Sequence, residues 1–451
     1  MHRYRRIACA LLVTFGASFA TGADWRQFRG PDGLGISNEK NLPAEWSDTK
    51  NIVWKVKLPG AGASSPVTLG NRIFVTCYSG YGMDTKEPGD MKELKRHLLC
   101  LDRKAGKTLW AKEFEPELPE HRYAGEGAYH GYAASTPITD GQRLYVFFGK
   151  SGVYCFDLNG KQLWRTSVGK NTNGWGSGAS PILYKNLLIV NASVESGSMI
   201  ALDKMTGKEI WKAPKIGSAW NTPMPVAKME FNEWCQANGF EPDKLTEKQT
   251  ATLKQLHAVE PVELVVNVQG RVVAVDPDTG KELWYADGVK SYVCPSVVAH
   301  KGLVYMIGGG SVSMAIRTGG RGNVTDTHVL WKQKKGSNAS SPIYHDGYLY
   351  WASENGGVLH CQDAVTGKEA YSQRLDTAAG RIWASPVLAD GKLYYISQFK
   401  GVFVVAAGPK FELVAHNVFT DDNSRANASV AVSDGQLLLR NDQYLYCIGN
   451  R

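Results

Sequence analysis

Ten side chains in this sequence are of types that hold small polar or flat molecules, and they recur at one kind of place. They are His130, Tyr132, Trp175, Trp220, Asn221, Asn338, Arg381, Trp383, Arg425 and Asn427. Each lies one to six residues before a Ser/Thr-Pro pair or its Ser-Val equivalent, and Tyr292 holds the same place before Ser296. Arg offers a planar fork of donors for a carboxylate or sugar hydroxyls, and Trp offers a stacking plane. Gathered at one opening, these groups would hold a flat anionic or sugar-like ligand. The competing reading is that Trp and Asn plug a channel and cap loops. No acid-base pair stands among them, which favours binding over redox chemistry.

The remaining reactive residues carry less. No Gly-x-Ser-x-Gly, His-Glu-x-x-His or phosphate loop occurs. The histidines, among them His121, His257, His328, His360 and His416, show no metal-ligand spacing, so no metal site is expected. His300 and His345 sit beside turn glycines and are expected to be solvated. Cys100, Cys155, Cys361 and Cys447 fall at one repeated position and read as small buried strand residues. With Cys77, Cys235 and Cys294 they make an odd number after the N-terminal leader, which argues against a disulfide framework.

What must position the loaded segments is a repeat. Ser65-Pro66, Thr136-Pro137, Ser180-Pro181, Thr222-Pro223, Ser341-Pro342 and Ser385-Pro386 each precede a Gly or Asn and an apolar strand. Ser296-Val297 and Ser429-Val430 are degenerate copies, giving eight. Five of the seven spacings are 42 to 45 residues, and the other two are 71 and 74. A second phrase alternates with the first. It reads Asp203-Lys-Met-Thr206-Gly207-Lys-Glu-Ile-Trp211, with copies from Asp102, Asp157, Asp276 and Asp363. This is hairpin chemistry: Asp accepts from turn N–H groups and Gly takes the positive φ of a bulged turn. The tryptophan after it (Trp54, Trp110, Trp164, Trp211, Trp284, Trp331) is read as structural, packing flat between neighbouring units.

Each unit is thus four short strands in some 44 residues, and radial stacking of eight buries what one unit cannot. The fold class is all-β, an eight-bladed β-propeller. The chain begins with an orphan Trp54 strand and ends at Cys447 without one, so the N-terminal strand is expected to close the ring. Insertions are read near 78–97, 113–131 and 228–261. The last looks helical, with Phe231, Trp234 and Cys235 on one face, Thr246 as cap, and Leu253 and Leu256 as an apolar edge.

Residues 1–23 place Arg3, Arg5 and Arg6 before an apolar run that ends in small residues, the pattern of a signal peptide. The mature propeller, 24–451, is then periplasmic or secreted, without a transmembrane segment. Beyond the leader the chain carries 48 basic against 43 acidic residues with no basic run, which argues against nucleic acid as a partner.

The phrase Ala-x-Asp-x-x-Thr-Gly-Lys-x-x-Trp resembles the repeat of the pyrroloquinoline-quinone (PQQ) propeller superfamily, over about residues 45–449. The start, Trp25-Arg-Gln-Phe28-Arg-Gly30-Pro31-Asp-Gly33, resembles leaders of secreted planctomycete-type members. That superfamily includes quinoprotein alcohol dehydrogenases and the non-enzymatic propeller subunit of outer-membrane assembly. The resemblance implies either role. The dehydrogenases hold calcium with Glu, Asn and Asp, use an Asp base and a Trp floor, and often carry a Cys-Cys disulfide. This chain has no Cys-Cys pair and no Cys-x-x-Cys-His haem motif. The expectation is therefore a non-catalytic binding or scaffold propeller, monomeric, taking a protein partner or a small polar or sugar-like ligand. The alternative is an alcohol or polyol dehydrogenase using PQQ and calcium, cofactors that no motif here supports.

Overall fold

The computed structural model describes residues 24–450 apart from 227–231, 233–234, 237–238, 260–261, 292, 310 and 376–378. The segment 1–23, read above as a signal-peptide pattern, and the side chains of Phe231, Trp234, Leu256 and Tyr292 lie outside the described residues.

Middle strands buried on both faces and turn glycines fold the repeats into eight blades of four antiparallel strands, two of them extended by a short parallel strand. Blade 1 is Val67–Leu69, Arg72–Ser79, Lys95–Asp102 and Thr108–Phe114, and blade 3 is Ile182–Tyr184, Leu187–Ala192, Ser198–Asp203 and Glu209–Pro214. Blade 8 is assembled from both ends of the chain. Ile52–Lys57 pairs antiparallel with Tyr444–Gly449, placing Trp54 opposite Cys447. Ring closure by the N-terminal strand is thus as the sequence predicts. A parallel pair, Ile36–Ser37, extends blade 7 at its inner strand Val387–Ala389.

The hairpin phrase works by the chemistry expected of it. Asp203 Oδ1 accepts from the N–H groups of Met205 and Thr206 and from the Thr206 hydroxyl, at 2.8–3.0 Å, and Gly207 sits at φ +74°. In five of the blades the tryptophan then docks on the turn of the next. Trp164 Nε1 donates to Lys204 O, and its ring lies over Gly207, where a Cβ would come within 2.6 Å. Trp54 meets Gly106, Trp110 meets Gly160, Trp211 meets Gly280 and Trp331 meets Gly367 in the same way. Trp284 departs from the series. It is fully buried and donates instead to Glu263 Oε2 of its own blade, at 2.9 Å. Glycine is needed at these turns twice over, for its φ and for the flat ring above it.

The Ser/Thr-Pro phrase has a role that the pattern did not reveal. The N–H of each hydroxyl residue donates to the hydroxyl oxygen of the next: Ser65 to Thr136, Thr136 to Ser180, Ser180 to Thr222, and onward through Ser296, Ser341 and Ser385 to Ser429. All seven links measure 3.0 Å and run around the axis from blade to blade. The Ser65 hydroxyl, at the seam between blades 8 and 1, receives no partner. Arg440, wholly buried, bridges that seam by donating to Ser64 O, the Ser64 hydroxyl and Thr76 O. Ser180→Ala should therefore cost about 1–3 kcal/mol, because it strands the buried Thr136 N–H. Ser65→Ala should be nearly neutral. Denaturant unfolding of the two variants checks the contrast, and equal losses would contradict it.

Strand pairing sets the limits of the first excursion from the ring. Residues 78–79 and 95–97 continue paired strands of blade 1, so the excursion between them is 80–94. It packs with 115–131 through Tyr78, Tyr81, Tyr123 and Tyr132. In the third excursion, Thr246 and Gln249 form the reciprocal cap of the helix Glu247–Val259. Leu253 of that helix packs against Cys235.

Candidate functional site

The segments that run into the inner strands converge at one mouth of the axial channel. The cavity there, about 120 Å³, is walled by His130, Trp175, Trp220, Cys294, Trp383 and Asn427, with the hydroxyl ring of Thr222, Ser296, Ser341, Ser385 and Ser429 below. His130 stacks on Trp383 with ring centroids 4.9 Å apart and meets Trp175 at 6.0 Å. Enclosure between these rings, with Arg425 and His121 nearby, brings the His130 imidazole down to about 4. It is neutral at physiological pH. The Cys294 thiol is pushed up to about 12 by burial, so it is no thiolate nucleophile. Trp220 Nε1 donates to Gly176 O at 2.7 Å, and Asn427 Nδ2 donates to Tyr129 O at 2.6 Å.

The other predicted site residues are placed differently. Arg381 lies beside the cavity, its guanidinium over the rings of Tyr129 and Trp383 at 5.3 and 5.5 Å. Arg425 also faces Tyr129, at 5.1 Å, but it is bound to Asp442 by an ion pair of 2.9 Å. Burial raises the Asp442 carboxyl, and Arg425 and Arg440 oppose that. Tyr132 is buried among Tyr78, Tyr81 and His121 and donates to His121 O. Asn221 is also buried and bridges blades 3 and 4: its carbonyl accepts from Asn191 and its Nδ2 donates to Asn267 O. Asn338, outside the cavity wall, donates its backbone N–H to Glu354 Oε2 at 3.1 Å. These five belong to the rim or the framework, and Tyr132, Asn221 and Arg425 are engaged there by hydrogen bonds or an ion pair. The series His300 and His345 also differs from expectation: His300 is half-buried, stacked on Tyr344 at 4.1 Å.

A residue that the repeat could not reveal forms the floor. Phe28 of the N-terminal segment plugs the channel from the opposite mouth and lines this cavity from beneath. The segment is strapped across that face, Trp25 exchanging bonds with Thr68 of blade 1 and Gly35 accepting from Leu388 of blade 7. The channel is thus a blind funnel.

Behind the Trp175 wall lies a buried acid. Glu195, about 1% exposed, accepts from the Ser177 hydroxyl. Desolvation lifts its carboxyl to about 7 against the Ser177 bond, with a further push from Glu120. Glu120 itself is paired with the buried Arg96 at 2.7 Å. The His121 ring meets Gly176 of the same loop and is brought down to about 4 by burial.

The family described as outer membrane protein assembly factor BamB matches residues 51–223, 94–326 and 268–411. The chain belongs to that family. BamB of Burkholderia pseudomallei is 23% identical over 429 residues, covering 88% of this chain and 96% of the relative. Polyvinylalcohol dehydrogenase of a Pseudomonas species is 23% identical over 411 residues, covering 78% of this chain but 58% of that enzyme. Among solved structures, BamB from Moraxella catarrhalis superposes with a TM-score of 0.54 at 12% identity, covering 88% of this chain and 98% of that one. Quinohemoprotein alcohol dehydrogenase from Comamonas testosteroni gives 0.60 at 11%, covering 95% and 81%. The relatives thus include an outer-membrane assembly factor and a dehydrogenase, and likeness of fold does not choose between them.

PQQ with calcium is the cofactor that the fold implies, and the funnel does not fit it. Calcium takes six to eight oxygen ligands, mostly carboxylates. The cavity wall offers rings, hydroxyls and one amide, and no carboxylate. Among the described residues no three His, Cys, Asp or Glu side chains cluster as a metal site. Of the acids at the rim, Asp442 is spent on Arg425 and the Gly62 N–H, and Glu354 is set on the Asn338 N–H. No helix of the described residues is long and apolar enough to cross a membrane.

Proposed function

We propose that this chain is an exported, non-catalytic propeller of the cell envelope that binds a partner group in its blind funnel. The observation that carries the reading is the funnel wall itself: stacked aromatics, one amide and hydroxyls around a neutral His130, without an ionised base. Such a wall recognises a flat or sugar-like group and lacks what hydride or proton abstraction requires. The likeness to BamB over 96% of that relative supports a protein partner, and the N-terminal pattern of 1–23 supports export. Polyvinylalcohol dehydrogenase is the relative that favours the second reading, a quinoprotein oxidoreductase.

Incubation of the purified protein with PQQ and Ca²⁺ separates the two. The expected result is no stoichiometric quinone absorbance and no dye reduction with alcohols or polyols. Either signal would overturn the proposal. Within the binding reading, Arg381→Ala with Trp383→Ala should move the melting temperature by only a few degrees, since neither residue belongs to the repeated framework. The double variant should abolish binding of any ligand found by screening the wild-type protein. Retention of that binding would move the site off the funnel.

A further inference from the structure

The floor of the funnel carries a polar function that the fold leaves unspent. The hydroxyl residues Thr222, Ser296, Ser341, Ser385 and Ser429 line it, and the four serines are only 2–6% exposed. Each hydroxyl oxygen accepts a backbone N–H at 3.0 Å from the preceding blade. Among the described residues, none of these five O–H groups donates to a protein acceptor. A hydroxyl carries a proton to donate as well as lone pairs, and a buried donor left without an acceptor is costly. The rest of the wall is engaged. Trp220 Nε1 donates to Gly176 O, and Asn427 donates to Tyr129 O and accepts from Gln398.

The charge left unpaired beside this floor is positive. Arg29 of the strap lies beneath the hydroxyl ring at blades 6 and 7. Its Nη2 donates to Pro342 O, next to Ser341. A Cβ on Gly35 would meet both that guanidinium and Pro386 O, next to Ser385. Arg29 is about 1% exposed, and among the described residues no carboxylate pairs with it. It does not line the funnel and acts there as buried charge, in surroundings that screen it poorly. At the mouth, Arg381 lies over Trp383 at 5.5 Å. Of the acids, Asp442 is tied to Arg425, and Glu354, whose charge reaches Cys294, accepts from the Asn338 N–H.

Phe28 closes the far end of the funnel, so a chain reaches the floor only by its end or by a side-chain tip. An ammonium end would add donors to donors. A carboxylate brings acceptors alone, which is what the five hydroxyls require.

We propose that the funnel floor is a carboxylate subsite that takes the C-terminal end of a polypeptide partner. This rests on the reading of the funnel as the binding site. The carboxylate oxygens accept from the ring hydroxyls, and the last peptide groups lie against Trp175, Trp220 and Trp383. Capture of a chain end by convergent donors is a recurring mode of peptide recognition.

The three tryptophans of the wall report occupancy by their fluorescence. The probes, titrated into the full chain, are acetyl-Gly-Gly-Ala with a free carboxylate, the same peptide amidated, and acetyl-Gly-Glu-Gly amide. The expected result is saturable binding of the free acid about tenfold or more tighter than of its amide, the margin of one charge-assisted contact. The glutamate peptide should bind no better than the amide. Arg29→Met should cut the preference for the acid by about threefold or more without altering the wall, because it removes only a nearby charge. Ala339→Phe, which fills the cavity from a half-buried wall position, should weaken every probe and leave the circular dichroism spectrum unchanged. Equal affinity for acid and amide, both lost in Ala339→Phe, would overturn the carboxylate subsite and leave the funnel reading standing. Preference for the glutamate peptide would overturn the chain end as the occupant. Acid binding that survives Ala339→Phe in a folded protein would overturn the subsite and the funnel reading together. No binding of the acid would overturn the subsite alone if another screened ligand is still lost in the Arg381→Ala, Trp383→Ala variant.

Discussion

Trp211→Ala should lower the unfolding free energy by about 3–5 kcal/mol, the range for deleting a large buried aromatic. Trp211 is 7% exposed, donates from Nε1 to Pro277 O at 3.0 Å, and covers Gly280 of the next blade. Truncation removes the lid of that turn and strands a carbonyl between blades 3 and 4. Gly280→Ala attacks the same contact from the other side. Its methyl would sit 2.5 Å from the ring at a backbone φ of +71°, so the turn must open or the ring must leave. Denaturant melts of both variants provide the measurement. A loss under about 1 kcal/mol for Trp211→Ala would show that inter-blade docking of tryptophan does not hold this ring together.

That contact also marks how far the sequence could be read. Asp203, Thr206, Gly207 and Trp211 are bound to one another within a few residues or across one repeat, so a period of about 44 residues exposes them. The closure of blade 8 was legible for the same reason, because the Trp54 strand lacked a unit and the last unit lacked a strand. The funnel was legible only in part. His130, Trp175, Trp220, Trp383 and Asn427 reach the cavity because the repeat brings their segments to one mouth. Residue type alone could not tell that Arg425 is tied to Asp442, which comes from another turn of the same blade 17 positions on. Nor could it show Asn221 sunk between blades 3 and 4. Phe28 and Arg29 were beyond reach. The strap occurs once and has no period, and its place is set by tertiary contacts with Thr68, Pro342 and Leu388 alone.

Glu195→Gln should make the protein more stable at pH 8, by about 3–4 kcal/mol, and leave it unchanged near pH 4. The folded carboxyl titrates at about 7 because burial disfavours its charge, whereas an unfolded glutamate titrates near ~4.3. The folded state therefore holds a proton that the unfolded state has lost between those limits. Stability from this group is fully present below about pH 4 and is lost as pH rises through 7, at ~1.4 kcal/mol for each pH unit between. Gln mimics the protonated acid, still accepts from the Ser177 hydroxyl, and has no charge to bury. The groups facing Glu195 do not reverse the sign. Glu120 adds to the penalty, and Arg96, which opposes it, is engaged by Glu120 at 2.7 Å. Chemical denaturation at pH 4, 6 and 8 would trace the divergence between wild type and variant. Parallel curves would mean that Glu195 is ionised and satisfied in the fold. Because Ser177 follows Trp175 and Gly176, which bind the funnel wall to Trp220, the same titration should move tryptophan fluorescence with a midpoint near 7 in wild type. In Glu195→Gln that transition should disappear, while a transition that persists would trace it to another group behind the wall.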